Sequence, residues 1–283
     1  MRDFIRVYIR RLRLYTTPGY HVHPNGLGIV ADTAFVADTV YVDKYCVISD
    51  SATVMDHAKI FGWATVSNNA LVSGNAQICG CANITGNAIV SDDVRVYGWS
   101  TITDHAKVSE NACVNGETNR RFWSVHISGN AKVSGHATVL GRARISENAL
   151  ISDSALITGG AYVNGNAIVS DRATIGSSAH IEGHAKISGD AIVSGRAWIM
   201  NSAIVTGRAR VDGCNRVAGT ANLSGDSLVT DFAWVGDRAR VSDKAQILGS
   251  VRIYGDTVVE GNAKVSGNAR ILSGLYDSGV YDS

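Results

Sequence analysis

Ala191-Ile192-Val193-Ser194-Gly195-Arg196 is one copy of a six-residue phrase, and Ala70-Leu71-Val72-Ser73-Gly74-Asn75 is another. The form Ala-x-Val/Ile-Ser/Thr-Gly/Asp-x recurs from Ala52 to Ile271 with few breaks. With the Val/Ile position taken as an anchor, anchors fall every six residues from Val30 to Val114 and again from Ile127 to Ile271; Leu223 is the one leucine among them. A period this short marks a solenoid. The repeats of a solenoid specify its scaffold, so chemistry is sought where the phrase breaks.

Alanine usually stands two residues before the anchor. The two side chains share a parity, so in extended chain they point the same way, and the residue between them points the other way. That middle residue is unrestricted: Lys132, Leu150, Trp198 and Arg216 all occur there. The Ala and the anchor therefore face inward and the variable residue faces out. Two residues after the anchor come Gly74, Asp92, Asn68, Gly135 or Gly195, types that tolerate the positive φ of a sharp corner. Small Ala lets the chain pass near the axis, and β-branched anchors suit extended backbone. A helix is excluded, because a six-residue spacing does not hold one face of a 3.6-residue turn.

Three such sides make one coil, which predicts a second period of eighteen residues among the outward positions. Tyr45, Trp63, Cys81 and Trp99 are eighteen apart, and so are Phe61, Cys79 and Tyr97. Both series are expected to stack along one corner.

The phrase resembles the hexapeptide repeat of left-handed β-helix proteins, a superfamily containing many acyltransferases. In its Ala-x-Val-Ser-Gly-Asn version it is most similar to the YdcK-like branch and to long phage-encoded solenoids. The resemblance covers about residues 28–272. It implies an all-β, single-stranded left-handed parallel β-helix of about 13 triangular coils. Residues 1–27 would form an N-terminal basic and apolar cap segment, and residues 273–283 a C-terminal tail. Left-handedness comes from the resemblance and not from the spacing.

Composition narrows the function classes. The chain has 283 residues, a formal net charge of +1, 30 Gly and 2 Pro. A near-neutral chain lacks the dense basic face that non-specific nucleic-acid binding needs, and no motif points to specific nucleic acid. No apolar run approaches the ~20 residues of a membrane span. No ordinary signal peptide is visible, and five cysteines without a disulfide-type spacing suit a reducing compartment. Cytoplasmic is the default location, with a phage particle or a surface as the other options.

The phrase breaks in three places. Phe4 to Tyr15 mixes apolar residues with arginines, as suits a cap over an open solenoid end or a docking element. Between Val114 and Ile127 the interval is thirteen, one repeat with about seven residues added, giving an inserted loop at about 115–124. Arg120, Arg121, Phe122 and Trp123 make that loop a candidate binding or interface element. In acyltransferases of the resembling superfamily such loops wall the active site. The tail repeats a Tyr-Asp-Ser unit.

One outward column after the loop is more aromatic and cationic than any other: His126, Arg144, Tyr162, His180, Trp198, Arg216, Trp234, Arg252 and Arg270. It suits a subunit interface or an extended site for a glycan or anionic polymer. The candidate binding or interface residues are Phe61, Trp63, Tyr97, Trp99, Arg120, Arg121, Phe122, Trp123, Tyr162, His180, Trp198, Arg216 and Trp234. Of the eight histidines, His126 is the one catalytic candidate, because it adjoins the loop. No metal site is expected: His180 and His184 lack a third ligand, and Cys79-x-Cys81 lacks a second pair.

The leading expectation is a non-catalytic solenoid, a rigid structural or interaction protein that forms homo-oligomers through exposed faces and needs no cofactor. The alternative is a hexapeptide-type acyltransferase using acyl-CoA near the 115–124 loop. A further alternative is a phage or surface appendage protein that binds glycans.

Overall fold

A computed structural model describes residues 16–116 and 124–282. These are all-β, with no helix among the described residues, and they match a triangular left-handed β-helix of about 14 turns. The chain divides into two compact units, residues 1–142 and 143–283. The first carries six coils and the second eight, each coil adding one short strand to each of three parallel sheets. We call the sheets face I (anchors Val30, Ile48, Val66 and onward), face II (Val36, Val54, Val72) and face III (Val42, Ile60, Ile78).

Register is set by the phrase. In the second unit Ile168 pairs with Lys186, Val169 with Ile187, and Thr174 with Ile192, each eighteen residues on. Successive coils are joined by backbone bonds of one type, such as Ile192 N–H to the Ala209 carbonyl at 3.0 Å and Ser194 N–H to the Val211 carbonyl at 2.9 Å. The core is built of the inward Ala and Val/Ile residues, and Ile151, Ile187 and Val193 are fully buried. At three positions where a polar residue replaces the inner Ala, the side chain bonds back to the carbonyl three residues earlier, while the hydroxyl of buried Ser227 makes no such bond. Ser100 donates to Tyr97 at 2.7 Å, Thr257 to Tyr254 at 2.7 Å and Asn215 to Asp212 at 2.7 Å. Asn215 also accepts from Ala233 N–H at 2.9 Å, so its amide is satisfied inside the core.

The corners show why the phrase alternates Gly with Asp. Both occur at positive φ: Gly195 at 70° and Asp237 at 54°. A Gly corner fits where the next coil crowds it; a Cβ on Gly219 would lie 2.5 Å from the Asp237 carbonyl oxygen. An Asp or Glu corner adds a bond. Its carboxylate accepts the corner N–H one coil on, as Asp237 does from Gly255 at 2.9 Å, Asp171 from Gly189 at 2.8 Å and Glu147 from Gly165 at 3.0 Å. A charge-assisted bond of this kind offsets the steric cost of a non-Gly residue in the left-handed region.

The coil is closed differently at its two ends. Tyr20–Val22 runs antiparallel to Ile29–Ala31 and covers the first edge of face I. Residues 1–15 lie outside the described residues. At the other end Leu275–Tyr276 pairs with Val258–Val259, and Val280–Asp282 pairs with Lys264–Ser266, so part of the Tyr-Asp-Ser segment continues faces II and III.

Two predictions follow from inside and corner. Val193→Asp should destabilise the protein by several kcal/mol, because a charge enters a core without partners. Exposed Lys186→Asp should leave the melting temperature nearly unchanged; equal effects in thermal denaturation would contradict the assignment of inside and outside. At the corner, Asp237→Ala should cost about 2–3 kcal/mol, the sum of a lost hydrogen bond and a Cβ at positive φ. Asp237→Asn, which keeps both the acceptor and the tolerance of that φ, should cost clearly less in the same melts.

Candidate functional site

Three outward groupings bear on function, and each is a consequence of eighteen-residue register. The longest lies on face I of the second unit. Tyr162 pairs in register with His180, His180 with Trp198, Trp198 with Arg216 and Arg216 with Trp234. Their side chains stack along the coil direction. Tyr162 and His180 lie 4.7 Å apart at an interplanar angle of 18°. Arg144 covers the other side of Tyr162, its guanidinium carbon 5.3 Å from the ring centre. His180 and Trp198 are 5.6 Å apart but tilted by 56°. Arg216 sits between two indoles, 5.8 Å from Trp198 and 5.4 Å from Trp234. Trp234 then meets Tyr254 edge-on at 5.6 Å.

Tyr254 belongs to this ladder and was missed in the sequence, because it follows its anchor while the others precede theirs. The signal that could have found it is Gly236, eighteen residues earlier in the same outward column. A Cβ on Gly236 would lie 3.2 Å from the Tyr254 ring and 3.3 Å from Trp234 Nε1. The glycine leaves the space that the two rings fill.

The ladder has a consequence for what it can bind. Ring faces from Tyr162 to His180 are covered by the neighbouring coil, so the stack turns ring edges outward. The exception is Trp198, 36% exposed, whose tilt away from His180 opens a recess of about 320 Å³. Ser178, His180, Arg196 and Trp198 line it.

The second grouping is in the first unit. Tyr45 and Trp63 stack at 4.9 Å and 7°, as the eighteen-residue spacing predicts. Cys81 occupies the next coil, so Trp99 stands two coils beyond Trp63. Phe61, Cys79 and Tyr97 follow their anchors on face III, and Tyr97 lies in the field of Arg95, Cys79 and Cys113. Burial pushes the Cys79 thiol up to about 11. Burial also raises Cys113, against the opposing pull of Arg95.

The third is the break. Ile102 pairs with Ile127 and Val114 with Val139, an interval of 25 residues and not eighteen. The foot of the insertion is tied down: Gly116 N–H donates to Ser100 Oγ at 2.9 Å, and a Cβ on Gly116 would run into the Trp99 carbonyl. Arg120, Arg121, Phe122 and Trp123 lie outside the described residues. His126 is half-buried on face I beside the far foot and pairs in register with Thr101. Among the described residues no group of three or more His, Cys, Asp or Glu could hold a metal ion. No described helix is long and apolar enough to cross a membrane.

The structure thus brings Tyr162, His180, Trp198, Arg216 and Trp234 together in one stack. Phe61, Trp63, Tyr97 and Trp99 form separate, shorter series in the first unit.

Solved structures similar to this chain include two acyltransferases. One is a UDP-N-acetylglucosamine acyltransferase from Campylobacter jejuni, 21% identical over 60% of this chain and 66% of that one, with a TM-score of 0.33. The other is the Francisella novicida UDP-N-acetylglucosamine acyltransferase, 16% identical over 71% of this chain and 66% of that one, with a TM-score of 0.24. The matched region spans 66% of the length of each. At these identities and TM-scores the likeness assigns no activity. No protein-family model matches the chain, and no curated protein does.

The thiols allow a direct check of burial. Cys214 is exposed, while Cys79 is half-buried with a raised pKa. Near neutral pH iodoacetamide should alkylate Cys214 first and Cys79 slowly, since the thiolate is the reactive form. The Cys79 rate should climb as pH rises toward about 11. Equal rates for the two near neutrality, read by mass spectrometry of peptides, would contradict the packing described.

Proposed function

We propose that this chain is a non-catalytic β-solenoid interaction protein that self-associates through face II. The observation that carries the proposal is the composition of that face. In the second unit its outward column before the anchor carries Leu150, Ile168, Ile204 and Val258 together with Lys186, Asn222 and Arg240, and Leu150 and Ile168 lie side by side in register. The column after the anchor is Ser152, Ser170, Ser188, Thr206, Ser224 and Ser242, followed by Glu260. The apolar pair Leu150 and Ile168, flanked by the short hydroxyl side chains of Ser152 and Ser170, makes a flush patch. Two such surfaces can approach to the distance at which sheets pack, about 10 Å. The first unit repeats the pattern, with Leu71 and Ile89 adjacent in register and Ser73, Ser91 and Ser109 beside them.

An isolated solenoid gains nothing from outward Leu and Ile. Each one fully buried against a partner contributes roughly 1.5–3 kcal/mol. Face I of the second unit is a poorer surface for identical copies. Its outward columns carry Arg144, Arg216, Arg252 and Arg270 against the single acid Glu182, so self-pairing would set like charges together.

Sedimentation of the purified protein should give a mass above that of one chain. Leu150→Lys with Ile168→Lys should lower that mass while leaving the far-ultraviolet spectrum unchanged. A single-chain mass at all concentrations would refute self-association. Turnover in a CoA-release assay that is abolished by His126→Ala, in a protein still folded, would replace this proposal with the acyltransferase alternative.

A further inference from the structure

The recess beside Trp198 is a second binding feature, on a different face from the one proposed for self-association. Its distinguishing residue is Arg196. Within the second unit three other arginines occupy the same place in the phrase, the residue after the corner. Each is tied to an aspartate one coil on: Arg172 to Asp190 at 2.7 and 2.9 Å, Arg208 to Asp226 at 2.5 and 2.7 Å, and Arg238 to Asp256 at 2.7 Å in both contacts. One coil on from Arg196 stands Cys214, which offers no carboxylate. No ion pair to Arg196 forms among the described residues. Asp212, also on the next coil, accepts from Ser194 Oγ at 2.9 Å. The guanidinium fork that its counterparts spend on a neighbouring coil therefore remains available at the recess.

Trp198 supplies the other half. It is the tilted member of the ladder, and its indole walls the recess where the rings below it are stacked shut. Ser178 and His180 add a hydroxyl and an imidazole. The surrounding face has a cationic excess, with Arg144, Arg216, Arg252 and Arg270 in one column. An apolar ring wall, an unpaired fork and short polar partners suit a pyranose ring that bears a carboxylate. The ring's C–H face lies on the indole, and the carboxylate takes the guanidinium bidentately. The row of arginines suits further acidic units of the same chain.

We propose that the recess formed by Ser178, His180, Arg196 and Trp198 binds a carboxylated sugar unit of an acidic polysaccharide. The ladder, which runs across the strands, does not serve a nucleic acid equally well, because base stacking needs several open ring faces and the described stack opens one.

The test is calorimetric titration of the whole protein with an oligogalacturonate, its neutral methyl ester and a single-stranded oligonucleotide. The acidic sugar should bind, and the ester should bind at least about tenfold more weakly, a loss of about 1.4 kcal/mol. Arg196→Ala and Trp198→Ala, both at accessible positions, should each weaken the acidic sugar by about tenfold or more. Arg172→Ala removes an arginine of the same corner type and should change nothing. Absence of heat with oligogalacturonate, equal binding of the ester, or unchanged binding by Arg196→Ala would overturn the proposal. Tighter binding of the oligonucleotide would also overturn it, in favour of a charge-only surface. Failure of self-association leaves these outcomes unaffected, because the face II substitutions lie on a different sheet.

Discussion

Every feature of this protein depends on the backbone hydrogen bond between residues one coil apart. Ile192 N–H meets the Ala209 carbonyl, Trp198 N–H meets that of Asn215, and the same bond recurs at nearly every strand. It makes the residue eighteen positions on the spatial neighbour of each outward side chain. A one-dimensional sequence thereby becomes a set of columns on three faces. Because each bond is parallel and in register, a substitution is felt first by the residues one coil before and after it.

The narrow interior explains the monotony of the phrase, and the corners explain its variation. Ala and β-branched anchors fill nearly all of the inside, with Leu223 as the one leucine anchor, and inner polar residues such as Asn215 bond to a carbonyl three positions back. The corner demands positive φ, which Gly meets by lacking a Cβ and Asp by trading strain for a bond to the next coil. The corner arginines follow the same logic, with Arg172, Arg208 and Arg238 each closing a pair across one coil. Against this regularity of the second unit, an arginine without its aspartate is conspicuous, and so is a tryptophan that leaves the stack.

The three faces divide the chemistry between them. Face II sets apolar pairs such as Leu150 and Ile168 beside a column of short hydroxyl side chains. Face I of the second unit is cationic and aromatic, with most ring faces closed by their neighbours. Face III of the first unit holds Cys79, Tyr97 and Cys113 in a partly desolvated patch. A solenoid permits this separation because outward positions carry almost no folding constraint, so each column can be filled independently of the core.

The six-residue phrase alone determined that the fold is a three-sided β-solenoid, which residues point inward, and the pairing of Tyr45 with Trp63 and of Tyr162 with His180. Period and parity are properties of a strand and need no tertiary information. What only the tertiary structure decided is orientation. Spacing placed His180 and Trp198 in one column but could not tell that one stacks flat and the other tilts to open a recess. It could not bring Tyr254 into the ladder, because that residue joins from the column beyond the anchor through the space left by Gly236. The missing partner of Arg196 is legible in the spacing, because Cys214 stands where its counterparts have aspartate, but spacing could not show that Arg196 lines a recess with Trp198. Column membership follows from backbone register, whereas rotamer and tilt follow from the packing of each side chain against its neighbours.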